Sequence, residues 1–572
     1  MTAAWPVSRP HGISGGFGRK AAWHANSATW PVLCLVLLLG LQATMIFTRA
    51  INWDEFFYYM EVEAFARGEL ARPLQTFHVR LFAWLPALEG NGVQHIVAAR
   101  IAMFACELVT LFCIAGLARR FTDAAGALLA ALCYLSAGYV LQHGFSFRVD
   151  PLATAALMGA LTFLALGRLG PGTIAGFGLC AALAGMITIK AVLFAPAFAG
   201  IGWLRWSEHR LSGDAALRLA GCIVAALGFF ALAYWWHAQG VSAPEPGAAL
   251  QRANQASQSV LSTSQGSLFF LGVPPYWQMM IKAASLALPF TGLIALVPYA
   301  IARDGRPAAV RIALAGVWLP ILTLLFYRNT APYYYAFVLA PVAVGCTAAV
   351  TLARKRVSVA ALALVLTGLA VLVFAKEDRT TLQRQSALVS TVDGLFAGED
   401  PVNYFDHNGM LGSFPKANGF MTPWGQEQYY ASGQPAFLRA METRVVPLLL
   451  ENDPLLSEAL IDPGQEVLLA EDAAALRENF LRYWGPVWVA GVALPSGDFA
   501  QARRFLVPGR YRIEGGAIII DEALYRPGEI ASITRGKHRV ESSGVGAKRL
   551  IWADVRPRPV VPPSDGPLWV GF

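Results

Sequence analysis

The stretch INWDEFFYYM, residues 51–60, follows almost directly on an apolar run that begins at Trp30 and is long enough to cross a bilayer. Two adjacent carboxylates, Asp54 and Glu55, stand at the mouth of that run, with Phe56, Phe57, Tyr58 and Tyr59 crowded behind them. Two solvated acids at a helix end are one explanation. The aromatics argue for another, because they would shield the acids and supply stacking surface, as pockets with few convergent polar groups do.

Composition gives the setting. The chain is 56% hydrophobic and 14% charged, with a mean hydropathy of +0.47, against roughly a quarter charged for a soluble domain. So apolar a chain of this length cannot bury its surface in one water-soluble core. The net charge of +8 does not indicate nucleic acid, because much of the Lys and Arg sits in short loops between apolar segments. Cys34, Cys106, Cys113, Cys133, Cys180, Cys222 and Cys346 all lie in apolar segments, so no disulfide framework or thiolate metal site is expected in the tail.

Apolar windows fall at 30–49, 97–118, 124–142, 151–167, 173–188, 190–206, 217–237, 279–302, 308–326, 333–353 and 357–375, each near the ~20 residues a spanning helix needs. With the N-terminus inside, the cytoplasmic loops hold Arg119 and Arg120, Arg168, then Arg205, Arg210 and Arg218, then Arg303, Arg306 and Arg311, then Arg354, Lys355 and Arg356. The positive-inside rule thus puts everything after Phe374 outside. The fold class is a polytopic α-helical membrane protein of about 11 transmembrane helices with a C-terminal extracytoplasmic α/β plus β-sandwich region. The expected divisions are a cytoplasmic segment at 1–29, a membrane domain at 30–375 with outer loops at 51–96 and 238–278, an α/β segment at 376–482 and a β-rich domain at 483–572.

Within these divisions EVEAFARGEL reads as a short helix along the interface. QRANQASQSVLSTSQGS, which has no strong period, reads as a flexible loop or lid. In the tail, DPVNYFDHNGML and RVVPLLLENDPLL read as strand-plus-turn or strand-plus-helix units. WVAGVAL, GRYRIEGG, AIIIDEALY and GEIASITRGKHRVES are short strands punctuated by Gly and Pro.

Four clusters carry polar chemistry, and the topology puts all of them on the outer face. The first is Asp54 and Glu55 with Tyr58. The second is HGFSFRVDPLATAALM, where His143, Arg148 and Asp150 precede a helix opened by Pro151. The third is Lys190 in ITIKAVLF, a lone cation that snorkelling alone also explains. The fourth is Arg328 with Tyr333 in FYRNTAPYYYAF, where the tyrosines also suit an aromatic belt. Acids, cations and aromatics around one outer cavity suit an anionic lipid-linked substrate and a sugar-like acceptor. Arg and Lys would hold a phosphate, and a carboxylate would deprotonate an attacking hydroxyl.

WDEFFYY in the first outer loop, FRVDPL in the second and TIKA later on resemble the motifs of the GT-C superfamily of membrane glycosyltransferases. The likeness is to bacterial relatives of the protein O-mannosyltransferases and the lipid A aminoarabinose transferases, and it covers the membrane part; the tail contributes architecture only. The resemblance implies transfer of a sugar from a polyprenyl-phosphate donor to a lipid, glycan or protein hydroxyl, at the outer face of a bacterial inner membrane. It implies Asp54 as the catalytic carboxylate beside Glu55, Arg148 and Asp150 shaping the site, and Lys190 and Arg328 toward the donor phosphate. No cofactor is required. A divalent metal is compatible with Asp54, Glu55, Asp150 and His143, but no ligand spacing specifies one.

Two other readings remain. A secondary transporter would set its charges at mid-membrane on broken helices, whereas these collect at the outer ends. A non-catalytic envelope polysaccharide assembly protein would use the tail as a binding module.

Overall fold

The computed structural model describes residues 28–70, 72–241, 274, 276–397, 401–461, 467–561 and 566–570. Most of the expected cytoplasmic segment at 1–29 and of the expected lid at 238–278 lies outside them. All eleven apolar windows fall on helices. Among the described residues five helices are long and apolar enough to span alone: Thr29–Ile46, Gly92–Ala118, Val149–Leu166, Gly213–Ala238 and Ala308–Leu325. Two further pairs are bent, Trp277–Leu286 with Leu288–Ala302 by 102° and Tyr334–Gly345 with Thr347–Ala353 by 55°. Ala124–Leu135, Pro171–Ile187 and Val359–Ala375 are shorter apolar helices.

The outward faces of these helices are as apolar as their inward ones. On Gly213–Ala238, Leu217, Val224, Leu227 and Trp235 are all exposed, a surface suited to lipid and not to water. Small residues set some of the packing. Gly200 lies against Gly316 so closely that a Cβ on Gly200 would sit 3.0 Å from the Gly316 Cα; with no side chain on either, the two helices approach backbone to backbone. The chain is a multi-pass membrane protein.

Buried apolar residues form two separate cores. One lies among the membrane helices. The other unites the 51–96 loop with the tail: Phe56, Tyr59, Val62, Val79, Phe82 and Leu85 pack with Leu388, Val392, Tyr404 and Leu411. The helix expected along the interface is therefore longer and differently placed. It runs Trp53–Ala66 and spends its apolar face on the tail, where full burial of Phe56 or Val62 contributes about 1.5–3 kcal/mol each.

Among the described residues the tail holds eleven short strands in two sheets. β1 (Tyr404–Phe405), β2 (Leu448–Leu450), β3 (Phe480–Trp484), β4 (Val487–Leu494), β6 (Gly509–Glu514), β9 (Ile530–Ile533) and β11 (Lys548–Trp552) form the larger. Its order is β1-β2-β4-β11-β6-β9, with β3 also pairing to β4. The smaller has the order β5-β10-β7-β8, built from β5 (Phe499–Phe505), β7 (Ile518–Ile520), β8 (Ala523–Tyr525) and β10 (Gly536–Ser542). The strands expected from the Gly- and Pro-punctuated text are present. One sheet runs across the division expected between 482 and 483, because β2 pairs antiparallel with β4; the two segments share a core.

The tail grips the Trp53–Ala66 helix at several points. Gln385, wholly buried, accepts a hydrogen bond from the Ile51 N–H (2.9 Å) and donates to the carbonyls of Ile51 and Leu568 (both 2.8 Å). The Trp569 ring meets Trp53 and Phe56 edge-on, with centroids at 6.3 and 5.6 Å. Gly412 comes so close to Tyr59 that a Cβ would sit 2.5 Å from the ring.

Candidate active site

The polar site begins with a helix cap. Asn52 Oδ1 accepts from the backbone N–H groups of Asp54 (3.0 Å) and Glu55 (3.1 Å), and Glu55 Oε2 accepts in return from the Asn52 N–H (3.1 Å). This capping box fixes both acids in the first turn. Successive helical residues point about 100° apart, so the two carboxylates diverge.

Glu55 turns inward and is wholly buried. Its oxygens accept from Arg100 Nε (2.8 Å) and a terminal Arg100 nitrogen (2.6 Å), and from the Phe147 N–H (2.8 Å). Arg100 also donates to the carbonyls of Ile46, Arg49 and Ala50. Burial alone would raise the Glu55 carboxyl, but the charge of Arg100 and the hydrogen bonds hold it below its ordinary value. Every Glu55 oxygen is thus committed, and the pair of acids expected at the reactive edge resolves into one. Glu55 anchors the first loop to the bundle and does not face the site. Arg100 was missed in the sequence, where a single cation inside an apolar helix was the available signal.

Asp54 turns the other way and keeps 19% of its side chain exposed. It forms an ion pair with Arg148, which is 3% exposed. Arg148 Nε in turn lies 3.3 Å from Asp150 Oδ2, and Asp150 Oδ1 pairs with Lys190 Nζ. Local structure explains each position. Arg148 is the N-cap residue of the Val149–Leu166 helix and Asp150 lies in its first turn, where the helix dipole favours an acid. Lys190 sits in a 3₁₀ segment, Ile189–Phe194, that interrupts the helical run, with Thr188 Oγ1 accepting from its N–H (3.2 Å). Such tight turns often mark functional breaks.

Aromatic rings enclose this alternating chain of Asp54, Arg148, Asp150 and Lys190. The Arg148 guanidinium is 3.3 Å from the Tyr333 ring centre and 5.7 Å from that of Tyr58, and Lys190 Nζ is 5.7 Å from Tyr333. The Tyr333 hydroxyl donates to Asn329 Oδ1 (2.8 Å). Of the residues singled out in the sequence, Asp54, Tyr58, Arg148, Asp150, Lys190 and Tyr333 come together.

The other three, Glu55 as described above, His143 and Arg328, make different contacts. His143 lines a separate cavity of about 210 Å³ with Arg49, Tyr139, Gln142, Lys282 and Glu377. Arg328 pairs with Glu427 (2.8 Å), which belongs to the tail helix Pro423–Ser432, and so ties the bundle to the tail. Among the described residues no three His, Cys, Asp or Glu side chains gather as a metal site.

No protein-family model matches the chain, and no curated protein sequence does. Solved structures do. The crystal structure of ArnT from Cupriavidus metallidurans bound to undecaprenyl phosphate is similar over 76% of this chain and 95% of that one, with 14% identity and a TM-score of 0.53. Its apo form gives 77%, 95%, 14% and 0.51. The Archaeoglobus fulgidus oligosaccharyltransferase, in a crystal structure with Zn and sulfate, is similar over 91% of this chain and 99% of that one, with 11% identity and a TM-score of 0.50. The likeness spans both the helical bundle and the tail, and it establishes that the chain shares the fold of ArnT and of the Archaeoglobus fulgidus oligosaccharyltransferase.

Proposed function

We propose that the protein is an integral membrane glycosyltransferase that moves a sugar from a polyprenyl-phosphate carrier to an acceptor hydroxyl. The single observation that carries this is the partly exposed Asp54 carboxylate at the open end of a buried chain of charge that ends in Lys190. The fold supports it, since ArnT shares the architecture and its crystal structure contains undecaprenyl phosphate.

In this reading Asp54 accepts the proton of the acceptor hydroxyl as its oxygen attacks the anomeric carbon. The bond between that carbon and the phosphate oxygen breaks, the electron pair leaves on the lipid phosphate, and the anomeric centre inverts. Arg148 and Lys190 supply fixed positive charge for the departing phosphate, and Arg148 exchanges its Asp54 contact for the phosphate as the donor enters. Glu55 has no chemical step; it seats the helix that bears Asp54. The arginine-rich short loops support a reading in which the tail and the site lie on the outer side of the membrane, where a lipid carrier would enter sideways from the outer leaflet.

The test is transfer in proteoliposomes from radiolabelled undecaprenyl-phosphate sugars to extracted envelope lipids, glycans and proteins. The wild type labels one of these fractions, and Asp54→Asn lowers the rate by at least about a hundred-fold. Uptake into vesicles without transfer, or full activity in Asp54→Asn, overturns the proposal.

A further inference from the structure

Two apolar helices end at the cavity of about 210 Å³ that His143 lines. Arg49 stands three residues beyond Thr29–Ile46, and Lys376 caps the C-terminus of Val359–Ala375. Lys282 comes from Trp277–Leu286, one arm of the sharply bent pair, and Tyr139 from the short helix Gly138–His143. The volume is several times the ~30 Å³ that one water occupies in the liquid, so the space admits a tetrahedral oxyanion. No residue of the charge chain from Asp54 to Lys190 lines it.

The lining holds three cations, Arg49, Lys282 and Lys376, against two acids, Glu377 and Asp378. Both acids are already engaged. Glu377 accepts from Arg49 and from the Gln142 amide. Asp378 accepts from the N–H and the hydroxyl of Thr380 (both 2.8 Å) and from the Thr381 hydroxyl. Lys282 and Lys376 form no ion pair with any described residue. Tyr139 is 3% exposed, and its hydroxyl has no hydrogen-bond partner among the described residues. A buried donor left so is costly, and an anion in the cavity would accept from it. Two uncommitted ammonium groups and a hydroxyl around one space suit the oxygens of a phosphate.

The surface leading to the lysines is apolar. Leu372 lies one turn before Lys376 and Val365 two turns before that, and both are exposed on one stripe of their helix. Ile281 adjoins Lys282 and lies one turn after Trp277, and these two are exposed as well. An acyl chain laid along such side chains brings its head group to the ammonium groups, an approach that a free anion does not need. Snorkelling into bulk head groups would explain the lysines alone, but not the cavity or the buried Tyr139 hydroxyl within it.

We propose that this cavity binds the head-group phosphate of an anionic membrane lipid, at a site separate from the one that Asp54, Arg148 and Lys190 form. It does so whether or not the chain transfers a sugar, so its test needs no turnover.

Native mass spectrometry of the full-length protein, released from a neutral detergent, counts bound dioleoylphosphatidylglycerol and bound dioleoylglycerol, which has the same chains and no phosphate. The wild type holds one phosphatidylglycerol at least about ten-fold more tightly than the diacylglycerol. Lys282→Gln with Lys376→Gln lowers that affinity about ten-fold or more, and Tyr139→Phe, which keeps the ring, lowers it about five-fold. Arg379→Gln removes an exposed cation close by that does not line the cavity, and affinity stays within about two-fold of wild type. Inorganic phosphate at the same concentration leaves the lipid bound. Displacement by it would hand the cavity to the free anion, and an equal loss in Arg379→Gln would reduce the effect to general surface attraction. No preference over diacylglycerol, or full affinity in both the lysine pair and Tyr139→Phe, would leave the cavity to water. Any of these results sinks the lipid site.

Discussion

The Arg148 guanidinium lies 3.3 Å from the Tyr333 ring centre while its nitrogens reach Asp54 and Asp150. A planar cation that stacks on one ring and forks toward two carboxylates cannot be replaced by a point charge. Arg148→Lys is expected to lower kcat by about a hundred-fold or more, with little change in thermal unfolding temperature. Tyr333→Phe keeps the stacking and loses the Asn329 hydrogen bond, so its rate is expected to stay within about ten-fold of wild type. Steady-state kinetics on the three proteins checks the order.

Asp150 sits between Arg148 and Lys190 and is 1% exposed. Asp150→Asn leaves the buried Lys190 without its carboxylate and Arg148 with Asp54 alone. The cost is about 3–5 kcal/mol of stability, which the loss of cleft electrostatics accompanies. Asp54→Asn, at a partly exposed position, abolishes transfer but leaves the unfolding temperature near that of wild type. Measuring both quantities on both variants separates the carboxylate proposed to react from the one proposed to hold the site together.

Glu55→Gln removes one partner of a wholly buried ion pair, and Arg100 keeps its charge with fewer acceptors. Stability falls by about 3–5 kcal/mol. Replacing both, as Glu55→Gln with Arg100→Met, restores part of the loss because no unpaired charge remains. Unfolding of the detergent-purified single and double variants measures the coupling. A double variant as unstable as the sum of the singles contradicts it.

Burial pushes the Asp393 carboxyl up to about 6, opposed by a Ser413 hydrogen bond and reinforced by Glu63. The unfolded group titrates near 3.8, so the folded protein holds more protons between about pH 4 and 6. Its contribution to stability is present at the acid end and is lost as pH rises through 6. After allowance for partial exposure, Asp393→Asn is expected to raise stability by about 1 kcal/mol above pH 6 and to change nothing near pH 4. Denaturation across that range tests the sign.

Much of this was legible in the chain. The apolar windows located the helices, since spanning segments are marked by length and composition alone. The Gly- and Pro-bounded strands of the tail were equally plain. Asp54, Arg148, Asp150 and Lys190 could be named because an ionisable group beside an apolar run is rare. Their connection could not be read, because it depends on how loops 94 and 40 residues apart in sequence meet. The divergence of Asp54 and Glu55 was hidden for a subtler reason. Adjacency in sequence suggests shared function, whereas a helix turns neighbours apart, and only the Asn52 cap reveals that these two begin a helix. His143 lines another cavity and Arg328 pairs with the tail's Glu427, contacts that loop charge could not report.

The clamp of Gln385 on Ile51 and of Trp569 on Trp53 and Phe56 has a consequence in time. Asp54 leaves the ribosome early, but the residues that seat its helix follow hundreds of positions later. At about 5–20 residues per second, roughly half a minute to two minutes separate the synthesis of Asp54 from that of Trp569. Through that interval the membrane helices insert while the acid lacks its final bearing. If Asp54 acts as proposed, a partly made chain would lack that bearing and activity would follow only once the tail is in place.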